Sequence, residues 1–94
     1  MPVGGFGLTL QNVSESELTL AADRVERAAS RFHAAFHAAH RANFRSATFA
    51  SLAYARVERI RGELVSLGHE YDRLAERAGL PEVERYPWQT HLHQ

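Results

Sequence analysis

The residues best equipped for chemistry are three histidines, His33, His37 and His40, spaced i, i+4, i+7. On a helix that spacing gathers them within about 60° of one another, beside an apolar stripe and not within it. Imidazole suits zinc, copper and nickel, so metal binding by a surface histidine cluster is one expectation. No carboxylate stands at a matching position, and neither Glu-x-x-His nor His-Glu-x-x-His occurs in the chain. The signatures of di-iron carboxylate and zinc-protease sites are therefore missing, and no cofactor is required. A second set is basic. Arg41, Arg45, Arg56 and Arg59 interleave with Phe32, Phe36, Phe44, Phe49 and Tyr54. Arginine beside aromatic rings is the chemistry with which single-stranded nucleic acids are held, so these four arginines are candidates for polyanion or protein-partner binding. Most of the rings also fall on or beside the helical stripes, where core packing accounts for them.

Composition narrows the classes. The 94 residues make one small domain, and 15 of them are alanine, which buries little area per side chain. A second copy or another partner is the expected remedy for so slight a core. The chain has no cysteine, which removes disulfides, thiolate chemistry and the usual structural zinc sites. It has no lysine either, all 11 basic residues being arginine, which removes phosphate-loop lysines and Schiff-base chemistry. There is no charged segment leading into a short apolar one, and no apolar run of about 18 residues. A cytoplasmic protein, or one secreted without a cleavable signal, with no membrane insertion, is the expectation.

The zero net charge hides a separation of sign. Residues 1–26 carry four acids against one arginine, 27–61 carry seven arginines against one glutamate, and 62–94 carry six acids against three arginines. These blocks come to −3, +6 and −3. A chain folding back near residue 44 becomes a rod with an acidic base and a basic tip.

The elements that position these groups are two helices. Residues 1–13 are uncharged and glycine-rich, an arm in which Phe6, Leu8 and Leu10 alternate like a short strand. Ser14 and Glu17 form a capping box that opens helix one. Leu18, Val25, Phe32 and Ala39 then recur every seven residues, flanked by Ala21, Ala28, Ala35, Ala22, Ala29 and Phe36. The pattern falters around Asn43 and Ser46, both suited to helix ends. Helix two carries an uninterrupted heptad through Ala50, Ala53, Val57, Ile60, Leu64, Leu67, Tyr71, Leu74 and Ala78. Gly62 and Gly68 lie off that seam, and Gly79 stops the helix. The fold class predicted is all-α, an antiparallel hairpin with helices near 14–43 and 46–79, dimerising into a four-helix bundle. The tail, residues 80–94, has no period. It is expected to lie against another surface or to be disordered.

Two resemblances follow from these features. Arg27 to His33 and Arg31 to His37 each enclose five residues, a spacing that resembles the Arg-x(4–6)-His element of the all-helical HEPN ribonucleases. Ala28 and Phe32 stand where that family has a polar side chain. The whole layout of arm, helix, turn, helix and tail resembles the WxG-type helical hairpins of type VII secretion. Phe44-Arg45-Ser46 occupies the place of their Trp-x-Gly turn, with neither signature residue. Their Tyr-x-x-x-Asp/Glu element is absent after helix two, since Tyr71 is followed by Ala75 and Tyr86 by Thr90; Tyr54 and Glu58 have the spacing inside helix two. The resemblance implies a helical partner protein without catalytic activity. The reading overall is a non-enzymatic interaction or adaptor module that self-associates through its seams, with a polyanion-binding tip and a histidine metal site as alternatives.

Overall fold

A computed structural model describes residues 13–43 and 45–93 of the chain. The alternating Phe6, Leu8 and Leu10 and the aromatic at position 44 lie outside the described residues. Two long helices, α1 (Glu15–Ala42) and α2 (Ala47–Arg77), pack against each other as a hairpin. No strand occurs among the described residues.

Local chemistry sets both ends of each helix. The Ser14 hydroxyl accepts from the Glu17 amide at 3.1 Å, and the Ser14 amide donates to the Glu17 carboxylate at 3.1 Å. This capping box satisfies donors that α1 cannot pair internally. The connection contains no glycine or proline. It closes because the Ala42 carbonyl takes the amides of Arg45 and Ser46, and the Ser46 hydroxyl then accepts from Thr48 and Phe49 to open α2. At the far end Gly79 adopts φ 78°. Leu80 N–H reaches Ala75 O and Gly79 N–H reaches Glu76 O, the paired bonds of a Schellman stop.

The buried face of α1 is Ala21, Val25, Ala28, Ala29, Phe32 and Ala39, four alanines that let α2 approach closely. On α2 the fully buried residues are Ala50, Val57, Ile60, Leu64, Gly68, Tyr71 and Ala75. The last part differs from the heptad expected there. Leu67 and Leu74 are only partly buried, and Gly68 and Ala75 take the inner positions. The seven-residue row of Ala50, Val57, Leu64 and Tyr71 stays buried throughout, and Gly68 is covered by the Trp88 ring. No charged or polar side chain is buried among the described residues.

The tail is ordered by contact with the hairpin. Two 3-10 turns, Glu82–Glu84 and Trp88–Leu92, carry the chain back along α2 until the second turn touches both helices. Trp88 is 2% exposed and joins the same core cluster as Leu64 and Val25.

Candidate functional site

The chemistry-bearing side chains fall into two places, one at the docked tail and one at the tip. At the tail, Gly68 makes the seat. A methyl group there would fall inside the Trp88 indole, so only glycine lets the ring lie against the α2 backbone. The indole Nε1–H donates to Asp72 Oδ2 at 3.2 Å, and His69 meets the ring edge-on with centroids 5.3 Å apart. Two residues earlier, the Tyr86 amide donates to the Tyr71 hydroxyl at 3.0 Å while the two rings sit perpendicular. Arg85 Nε–H donates to Leu80 O at 3.0 Å and fixes the bend before it.

A run of polar groups then crosses from the tail to α1. His33 Nε2 lies 3.1 Å from His91 Nδ1, His91 Nε2 lies 2.8 Å from the Tyr86 hydroxyl, and that hydroxyl lies 3.3 Å from Glu26 Oε2. Hydrogen-bond bookkeeping assigns the protons. Glu26 can only accept, so Tyr86 donates to it. The Tyr86 oxygen therefore accepts from His91 Nε2–H, which leaves His91 Nδ1 as a lone pair for His33 Nε2–H. Every group is satisfied except His33 Nδ1, which is buried without a partner. In this tautomer it carries a lone pair and no hydrogen.

The electrostatics agree with a neutral His33 and a protonated Tyr86 hydroxyl. The His33 pKa is lowered from the usual 6.5, first by burial and then by the neighbouring His91 and His37. Tyr86 is pushed up to about 12 by burial, by the Glu26 charge, and by the bond to Glu26. The two signs differ in effect. A histidine depressed in the fold stabilises it above pH 6.5 and loses that contribution as pH falls. A tyrosine raised in the fold stabilises it below pH 10 and loses that contribution as pH rises toward about 12.

The three histidines of the sequence cluster are thus drawn to different surroundings. His33 turns to the tail, while His37 lies exposed and edge-on to Phe36 with centroids 6.0 Å apart. His40 is also exposed, one turn further toward the tip. Among the described residues, no group of three or more histidines or carboxylates is placed to hold one metal ion. The partner of His33 is 58 residues away, a relation that no local spacing could announce.

At the tip, Arg41, Arg45, Arg56 and Arg59 are all exposed, and none is ion-paired among the described residues. Arg41 and Arg45 line one shallow groove with Ala38, Ala42, Ala53 and Phe49. Phe49 is 64% exposed and Leu52 66%, so these two large side chains belong to the surface and not to the core. Phe32, by contrast, is buried in the seam. The spacing of Phe49, Leu52, Arg56 and Arg59 is three, four, three, which places them in one stripe along α2. The same stripe continues to Glu63 and Glu70. Lower down, Arg31 joins Glu63 across the helices at 3.1 Å, and Arg27 joins Asp23 within α1 at 2.8 Å.

No helix among the described residues is long and apolar enough to cross a membrane. No family model, no curated protein and no solved structure matches the chain.

Proposed function

We propose that the chain is a non-enzymatic protein-interaction module that associates with itself, two hairpins lying side by side as a four-helix bundle. The observation that carries this reading is the tip stripe, where Phe49 and Leu52 stand in solvent beside Arg56 and Arg59. Two large apolar side chains at adjacent turns of one stripe mark a surface with something to cover it. The charge along that stripe, basic at Arg56 and Arg59 and acidic at Glu63 and Glu70, is self-complementary when a second copy runs antiparallel. The hairpin layout also accords with the WxG-type resemblance, which implies a helical partner.

Light scattering across micromolar concentrations is the direct test. The expected result is a dimer mass that dissociates on dilution and as salt screens the charges. Phe49→Ser with Leu52→Ser should leave the helical signal intact and return a monomer. A monomer at every concentration in the parent chain refutes self-association.

The alternative is a polyanion-binding tip. It is favoured by one feature, the placing of Arg41, Arg45 and Phe49 on a common groove, where guanidinium and ring could hold phosphate and base together. On that reading, single-stranded oligonucleotides shift in a gel at low salt, and affinity falls steeply with salt because counterions are released. Absence of a shift at tens of micromolar protein removes it.

A further inference from the structure

The docked tail has two kinds of contact. The Trp88 seat on Gly68 is a packing contact, with Asp72 and His69 at the edge of the indole. The run from His33 to Glu26 is a set of donors and acceptors with one permitted order, and it ties the tail to α1. We propose that residues 86–92 form an acid-released strap, closed over the hairpin near neutral pH and freed when the histidine run takes up a proton.

The mechanism lies in the orphaned nitrogen. Protonating His33 places a hydrogen on Nδ1, which is buried and has no acceptor. It also sets a positive charge 3.1 Å from the His91 ring, with His37 one helical turn away on the same face. Protonating His91 instead puts a hydrogen on its Nδ1, facing the hydrogen already on His33 Nε2. The His33–His91 bond then survives only if His33 moves its own hydrogen to the buried Nδ1, where no acceptor stands.

The charged and titratable neighbours come from both helices and the tail. On α1 they are Asp23, Glu26 and His37, and from the tail itself they are Glu82, Arg85, Tyr86 and His91. From α2, Asp72 and His69 face the strap through the Trp88 indole, and Tyr71 faces it through the Tyr86 amide and ring. Glu26 is the one carboxylate bonded to the run, and it is separated from the histidines by the Tyr86 hydroxyl. The depressed His33 pKa has the sign that this device needs, since a closed strap that favours the neutral ring loses stability as pH falls below 6.5. Release bares Gly68, the Tyr71 ring face and the Trp88 indole. The effect is an apolar flank that is covered at neutral pH and open in mild acid.

Trp88 is the one tryptophan of the chain, so its emission reads the strap directly. Between about pH 8 and pH 5 the emission should move to longer wavelength with a midpoint below 6.5, while the far-ultraviolet helical signal stays constant. His33→Gln should flatten that transition, whereas His93→Gln, altering an exposed histidine outside the run, should leave it unchanged. In the unmodified chain, ring-carbon NMR of His33 should titrate together with the emission, which keeps the test valid if the variant folds poorly. Emission that is constant over the range overturns the proposal. So does a transition in which helicity is lost together with emission, or one that survives unchanged in His33→Gln.

Discussion

Alanine at two glycines of the same helix, six residues apart, is expected to act with opposite sign. Nothing lies within 4 Å of a methyl group at Gly62, so Gly62→Ala should gain about 0.5–1 kcal/mol, the ordinary return for removing a glycine from a helix interior. At Gly68 the same methyl meets the middle of the Trp88 indole, not the end of a flexible chain. The ring must leave its seat or push α2 aside, and overpacking of that kind costs about 1–3 kcal/mol. Trp88→Ala removes a fully buried ring and should cost about 3–5 kcal/mol, seen first as loss of the tail from the hairpin. The decisive variant carries both changes. With the indole gone, Gly68→Ala should become as favourable as Gly62→Ala, and the non-additivity in urea unfolding measures the seat itself. Additive effects would mean that Trp88 does not rest on Gly68.

This pair also shows where the sequence was legible and where it was not. The hairpin is written in local signals. A capping box at Ser14 and Glu17, a helix-opening serine at 46, a glycine stop at 79 and apolar residues every three and four positions are each decided within one or two turns of chain. The tail is written differently. Its 3-10 turns have no period long enough to read, and what holds it is one missing methyl at Gly68 matched to the ring of Trp88, far along the chain. Taken by itself, Gly68 is only a weak point in a good helix. A glycine flanking the inner face of a helix, followed past the helix stop by a lone tryptophan after Tyr86 and Pro87, is the signal that was present. It needed the fold to give it meaning.

The histidines follow the same division. Their shared face on α1 is a property of spacing, and the structure keeps it. Which of them acts, and with what, depends on His91 and Tyr86 arriving from the other end of the chain. Phe49 is the complementary case at the tip. Its place beside the stripe, one position short of Ala50, was visible in the numbering, and its 64% exposure follows from that offset. Aromatic character suggested core; helical phase decided for the surface.

Helical phase also sharpens what charge reversal should do to the proposed dimer. Arg56→Glu with Arg59→Glu is expected to weaken self-association by tenfold or more, while leaving the helical content of the hairpin unchanged. Single exposed ion pairs contribute only about 0–1 kcal/mol, but the two-fold arrangement repeats each change, and repulsion replaces attraction at every repeat. A factor of ten requires about 1.4 kcal/mol. In an antiparallel pair the stripe from Arg56 to Glu70 meets its own reverse, so Arg56 of one copy approaches Glu70 of the other. Adding Glu70→Arg to the reversed chain should therefore restore much of the affinity. Glu76→Arg should not, because Glu76 is six residues beyond Glu70 and lies on another side of α2. Parallel hairpins would bring like blocks together at both ends, arginine against arginine at the tips. Since the chain has no cysteine, a single Ser51→Cys carries a spin label at the tip without competition. Tips at opposite ends should give a separation approaching the length of a helix, roughly 40 Å or more at 1.5 Å per residue. A short tip-to-tip distance, or rescue by Glu76→Arg as good as by Glu70→Arg, would place the two turns or the contact face elsewhere and refute the antiparallel stripe.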